Sequence, residues 1–542
     1  MRKRLLVGAA TVVLSMFLLS GRPYGPTGAT TEGTDAGLQT FTQILSLVED
    51  NYVEPVDSKD LVYGAIRGML LKLDPHCSFL DPKSYEEMQE EQRGSFSGLG
   101  IVISLRGEDQ ELTVISPIDG TPAYRAGIRA GDVISQIEKG STEGITIDEA
   151  LEKLRGPKGS RVNIGVHREG IEELLDFSLI RDDIPTASIP YAFLIRPDIG
   201  YIRVKNFSQT TSRELDEKLA ELEAKGMRKL VLDLRWNPGG LLDQAVKVSD
   251  TFLNPRDMIV YTKGRARDSY QAFRSHRGDA GSRIPMVVLV NEGSASASEI
   301  VAGAIQDHDR GIIVGQTTWG KGLVQTVYRL SQNAGIALTT AKYYTPSGRL
   351  IQRDFKESLD DYYAHRIDEA DSERETRYTS AGRKVLGGGG ITPDIEIALE
   401  DATKFEQAME RKSVFFDYAV RYIAQHPAAT AESLKIDDTT LSDFQEFVKS
   451  QKVEFTEDEW KESLDYSTTM IRAEIVGALG GLEDRQKVIV ERDRQVLKAL
   501  EVLPAAENIP IVALDLDGLK PATTGEANPE QKAAGERLEK NQ

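Results

Sequence analysis

Cysteine is almost absent from this chain of 542 residues: Cys77 stands alone. An internal disulfide is therefore excluded, and so is a zinc site built on several cysteines. Positive charge is short as well. Lys and Arg number 66 against 85 Asp and Glu, a net charge of -19. Phosphate neutralisation needs a basic face, so a nucleic-acid partner is excluded, and the acidity serves solubility. Beyond the first twenty residues no run is long and apolar enough to span a bilayer. No internal repeat is visible, and no pattern calls for a metal or a cofactor. What remains is a globular composition, 40% hydrophobic and 28% charged, in a length that implies two to four domains.

The N-terminus carries an address. Met1 to Arg4 is a basic stretch, Leu5 to Ser20 is apolar, and Gly21-Arg-Pro23 ends the run. This is the pattern of an export segment. No cysteine follows it for lipid attachment, and no clear small-x-small cleavage site stands out. A cleaved signal peptide and a retained membrane anchor both stay open for residues 1–23. The rest is expected outside the cytoplasm, in the periplasm or on the outer face of the inner membrane. Residues 24–37 read as a Gly/Thr/Pro linker, and 38–93 as a helical region broken by Asp74-Pro-His-Cys-Ser-Phe-Leu-Asp-Pro82. From Gly94 the texture becomes short strands and turns. From Ile199 strands alternate with helices, which implies a sheet covered by helices. Residues 404–510 are charged and helix-rich, and 511–542 have the composition of a disordered tail.

Three segments of the alternating region could carry chemistry. Asn291 to Glu299 holds three serines, Ser294, Ser296 and Ser298, separated by alanines at a strand-to-helix turn. A helix N-terminus leaves backbone N–H groups free, so the amide of Ala297 could face an oxyanion. Lys321 lies in Trp-Gly-Lys-Gly, where close packing can desolvate its amine and turn it into a base. Asn237-Pro-Gly-Gly240 is a tight turn with exposed amides. A capped helix, a solvated loop charge and a plain turn would each explain one segment alone. Their occurrence together at successive strand ends is far more specific. A histidine base is disfavoured but open. The chain has His76, His167, His276, His308, His365 and His426, and His308, nearest the serine turn in sequence, fits a solvated helix end.

These segments, with Gly98-Leu-Gly-Ile101, Ala126-Gly-Ile-Arg-Ala-Gly-Asp-Val133, Leu232 to Gly240, Tyr344-Thr-Pro-Ser-Gly348 and Gly390-Ile-Thr-Pro-Asp394, resemble the carboxyl-terminal processing proteases, the tail-specific serine peptidases of family S41. The likeness covers about residues 40 to 400. It implies an α+β multidomain chain. A PDZ domain at 94–172 would precede an α/β (ClpP/crotonase-like) protease core at 173–403, between helical N- and C-terminal regions.

By the same resemblance Ser296 is the nucleophile, Lys321 the general base, and Gln325 its orienter on the same helical or turn face. Gly240 and Ala297 form the oxyanion hole, and Asp307, Glu299 and Thr318 support the site. Gly98, Leu99, Gly100 and Ile101 would hold a peptide carboxylate, with β-augmentation on the following strand, and Arg155 would couple that groove to the core. Cys77 stands where the family usually has serine.

The function implied is an exported, ATP-independent endopeptidase acting on protein or peptide C-termini without metal or cofactor. Helical ends of relatives serve in dimerisation or adaptor binding, so a homodimer or an adaptor protein joins the expected partners. The alternative is a catalytically silent PDZ-containing binding or scaffold protein of the same fold.

Overall fold

A computed structural model describes residues 32–107, 109–277, 284–355, 362, 374–507, 514–515 and 520–521. The export segment and most of the expected tail lie outside these residues. Two compact units divide at Leu73/Asp74. The first contains helices Glu32–Asn51 and Ser58–Leu71. Helix therefore begins at Glu32, inside the stretch expected to be linker. Leu38, Phe41, Ile44 and Leu47 recur at helical spacing along it and are exposed. Asp57 caps the second helix by accepting the N–H of Lys59 at 2.8 Å.

The second unit is built on a six-stranded sheet. Its order is Tyr191–Arg196, Ile199–Arg203, Lys229–Asp233, Met286–Val290, Ile312–Gly315 and Ile395–Glu396. The first pair is antiparallel and the rest are parallel. Met286–Val290 is Met-Val-Val-Leu-Val and buried throughout, as a central strand covered on both faces must be. Helices Thr211–Ala224, Leu242–Phe252 and Ala297–Asp307 cover one face. The other is covered by the C-terminal helix Arg494–Val502, through Val496, Ala499 and Val502. The C-terminal region thus completes the core, a role its charged sequence did not announce.

A second, antiparallel sheet carries Ser78–Leu80, Gly335–Tyr344, Met258–Gly264 and Gln271–Arg274, with Leu323–Arg329 paired to Gly335–Tyr344. The segment expected to be a PDZ domain forms its own sheet, in the order Ile101–Arg106, Glu111–Pro117, Val133–Ile137, Arg161–His167 and Leu175–Ile180. This sheet extends past the expected boundary at 172, because Arg161–His167 pairs along its length with Leu175–Ile180. The chain enters and leaves it through a two-stranded ribbon, Ser95–Gly98 against Asp182–Pro185. At the far end Leu514–Asp515 pairs with Lys520–Pro521, within the stretch expected to lack structure.

Candidate active site

The serine turn is locked from within. Asn291, just past the central strand, accepts the N–H groups of Trp236 at 2.8 Å and Gly293 at 3.1 Å through Oδ1. Ser294 donates its hydroxyl to the carbonyl of Leu234 at 2.8 Å, and Ser298 donates to that of Asn237 at 2.9 Å. Both serines are fully buried. Ser296 differs. Its φ of 53° is a left-handed value unusual for a residue with a side chain, and it immediately precedes helix Ala297–Asp307. Its hydroxyl donates to no described residue, and it lines a cavity of about 450 Å³.

Lys321 lines the same cavity. Its Nζ donates to Gln325 Oε1 at 2.9 Å, and Gln325 Nε2 donates to the backbone carbonyl of His76 at 2.5 Å. Gln325 belongs to strand Leu323–Arg329, so the expected helical or turn face is replaced by the start of an antiparallel strand. Burial pulls the Lys321 amine below the ordinary lysine value, against the charges of Glu299 and Asp74. No hydrogen bond joins Nζ to Ser296 Oγ among the described residues; such bonds commonly tighten only with substrate in place.

Glu299 joins the two loops. Its Oε2 accepts the N–H groups of Ser296 at 2.7 Å and Lys321 at 2.9 Å. Its Oε1 accepts the N–H of Gly320 at 2.7 Å and the Thr318 hydroxyl at 2.6 Å. Thr318 Oγ1 in turn accepts the N–H of Ile391 at 2.7 Å, so its proton points to Glu299. Burial pushes the Glu299 carboxyl up, opposed by these four donors. A group that only accepts is held as a carboxylate. Tyr343, buried and unforeseen from sequence, brings its hydroxyl within reach of the carbonyls of both Ser296 and Lys321.

Ala297 opens the helix, so its N–H has no intrahelical acceptor. A Cβ on Gly239 would lie 2.9 Å from that nitrogen and 2.8 Å from Ser296 Cβ, at a φ of 103°. Only glycine fits there. Gly239, Gly240 and Ala297 all line the cavity. Asp307 does not belong here. It ends a helix of 11 residues that begins beside Ser296, roughly 15 Å away by helical rise. Its carboxylate pairs with the buried guanidinium of Arg349 at 2.5 Å. Of the described histidines, His76 reaches the cavity. Burial and the Lys321 charge pull its ring down to about 4, and its Nε2 meets the Tyr362 hydroxyl at 2.6 Å. His308 instead bonds the carbonyl of Met258 at 2.6 Å.

In the inserted sheet, Gly98, Leu99, Gly100 and Ile101 lead into the edge strand Ile101–Arg106. The carbonyls of Leu99 and Gly100 accept from Ala123 at 3.0 Å and Ile118 at 2.9 Å, which fixes the loop against the short helix Pro122–Ala126. Arg155 sits over the Phe96 ring at 4.7 Å and pairs with Glu90 at 3.2 Å. It therefore ties the inserted domain to helix Pro82–Arg93, one wall of the serine cavity. No cluster of metal-binding side chains occurs among the described residues.

A serine turn at the end of the central strand and a buried lysine thus line one cavity of an α/β core. Peptidase family S41 matches residues 198–358, a PDZ domain 113–168, the probable PDZ-protease C-terminal helical domain 405–467, and the activating protease CtpB N-terminal domain 22–84. The carboxy-terminal-processing protease of Bartonella bacilliformis is 43% identical over 59% of this chain and 74% of its own. The carboxyl-terminal-processing protease of Synechocystis sp. is 39% identical over 57% of this chain and 72% of its own. The carboxy-terminal processing protease CtpA of Bacillus subtilis is 34% identical over 60% and 70%. The chain belongs to the carboxyl-terminal-processing proteases of peptidase family S41.

Proposed function

We propose that this chain is an exported serine endopeptidase that engages protein C-termini through its PDZ domain and cleaves with Ser296 and Lys321. The observation that carries the pair is the division of labour among the three serines. Ser294 and Ser298 spend their hydroxyls on backbone carbonyls, whereas Ser296 shares a cavity with the desolvated amine of Lys321. Neutral Lys321 takes the Ser296 proton as Oγ bonds to the substrate carbonyl carbon. The oxyanion accepts from the amides of Gly240 and Ala297. Lys321 then passes the proton to the leaving amine, and a water that gives its proton to the again-neutral Lys321 attacks the acyl carbon and releases Ser296. Leu80, Met88, Ile300, Leu323, Val327 and Ala337 give the cavity an apolar wall, suited to an apolar side chain beside the scissile bond.

The C-terminus of the substrate would seat its carboxylate at Gly98–Ile101 and add a strand to the edge strand Ile101–Arg106. Export rests on the basic-apolar N-terminus, which points to work in the periplasm or on the outer face of the inner membrane. The test is cleavage of an unfolded protein with an apolar C-terminus by the intact chain, Ser296→Ala and Lys321→Ala. Both variants are expected to lose turnover, by about 10³-fold or more. His76 is the rival base, since it too lines the cavity. A ring held near 4 is a poor proton acceptor at neutral pH. Full activity in Lys321→Ala would nonetheless transfer the role to it.

A further inference from the structure

We propose that Asp74 is a positioning residue for the catalytic base: it fixes the carbonyl that dictates which end of the Gln325 amide faces Lys321. The inference rests on the Ser296/Lys321 reading and deepens it. A glutamine amide has an accepting and a donating end, and a half-turn exchanges them. Only one orientation serves a lysine base. With Oε1 toward Nζ, the amide accepts an N–H of the amine and leaves its lone pair for the Ser296 proton. With Nε2 toward Nζ, the amide would donate into that lone pair and silence the base.

The orientation is set at the far end of the amide, by the carbonyl of His76 that accepts from Gln325 Nε2. Asp74 holds this carbonyl in place. Its Oδ1 accepts the N–H of His76 at 2.8 Å and that of Cys77 at 2.8 Å, and its Oδ2 accepts from Cys77 Sγ at 3.1 Å. This is an Asx-type turn, stiffened by Pro75, whose ring fixes φ. The turn feeds strand Ser78–Leu80, which pairs with Gly335–Tyr344, the same strand that carries Leu323–Arg329 on its other edge. Asp74 is itself buried. Burial works against its charge, and the bonds from Cys77 and His76 hold the carboxyl below its ordinary value nonetheless. Among the described residues, the charged and titratable groups that face Lys321 are Glu299, Asp74, His76 and Tyr343.

Two variants and a pH profile test this, with the unfolded-protein substrate and kcat/KM followed from acid to alkaline pH. Asp74→Ala frees the His76 carbonyl, and kcat is expected to fall about 10- to 100-fold with KM nearly constant. Asp74→Asn keeps an accepting Oδ1 for the turn and removes the charge. It is expected to restore most of that loss and to move the acid limb to lower pH, because a lost negative neighbour lowers the lysine value. A residue serving only the fold would lower thermal stability and leave the kcat of each folded molecule unchanged in both variants. A folded Asp74→Ala with kcat within about twofold of the parent would overturn the proposal. If Asp74→Ala does not fold, Asp74→Ser, whose shorter side chain holds the turn less well, is measured in its place, and a folded Asp74→Ser with kcat within about twofold of the parent overturns it. Lys321→Ala, measured alongside, separates the two failures. Retained turnover there removes the lysine base itself, whereas lost turnover with indifferent Asp74 variants removes only the positioning role.

Discussion

Glu299 ties the loops of Ser296 and Lys321 to one carboxylate, and its two oxygens divide the work. Oε2 serves Ser296 and Lys321, and Oε1 serves Thr318 and Gly320. Glu299→Gln preserves shape and tests that division. The amide can keep its oxygen on Thr318 and Gly320, but its NH₂ then faces two N–H donors. Hydrogen bonds to a charged group contribute about 1.5–3 kcal/mol each. The variant is expected to lose about 2–4 kcal/mol of stability and at least about 10²-fold in kcat, read by urea unfolding and turnover. A kcat within threefold would show that the two loops hold their positions without the carboxylate. The serine, the lysine and the glycine turn were legible because each breaks the local texture of its strand end. Tyr343 and Asp74 were not, because a buried tyrosine on a strand and an aspartate in a turn have ordinary reasons to be there. Only the fold brings their atoms to the site.

At the scale of elements, the helix Ala297–Asp307 has two ends with different duties. Its start carries Ser296 and Glu299. Its end carries Asp307, paired with Arg349 and also accepting the N–H of Ser347 at 2.9 Å. Removing one partner of a buried pair leaves the other charge without compensation, at a cost of about 3–5 kcal/mol. Asp307→Ala is expected to lose stability on that scale while each folded molecule keeps turnover within about twofold. A large fall in kcat with stability intact would return Asp307 to the site. Sequence periodicity found four of the parallel strands and the helices between them, since buried strands and amphipathic helices each leave a pattern, but not the two-residue strand Ile395–Glu396, too short to show one. It missed Leu175–Ile180 as part of the inserted sheet because the expected boundary at 172 falls before this strand, although Leu175, Phe177 and Leu179 alternate with exposed positions and pack on the domain's core. It also placed Gln325 by a four-residue spacing that means neighbourhood on a helix, whereas here an antiparallel strand turns back beside the lysine loop.

For the whole molecule, the question is how the inserted PDZ domain is held. The ribbon and the Arg155–Glu90 pair fix its near side. On another side it meets helix Val414–Gln425 of the C-terminal region. Arg106 lies over the Phe416 ring at 4.0 Å, Asp417 is 3.8 Å from its guanidinium, and Gly131 packs on Val420. That ion pair is too long for a hydrogen bond. Its attraction does not offset burial, which pushes the Asp417 carboxyl up to about 6 from 3.8. The sign follows from linkage. The folded state holds the proton more tightly than the unfolded chain, so the group's cost is absent below pH 4. It grows as pH rises through the interval to 6 and is fully present above it. The contact is therefore most strained near neutrality, where the peptidase is expected to work. Asp417→Asn removes the titration. Its stability relative to the parent should rise between pH 4 and pH 6 and then level off, as followed by urea midpoints at several pH values. A difference that stays constant across that range would mean that water reaches Asp417 freely and that this face of the domain is held without electrostatic cost.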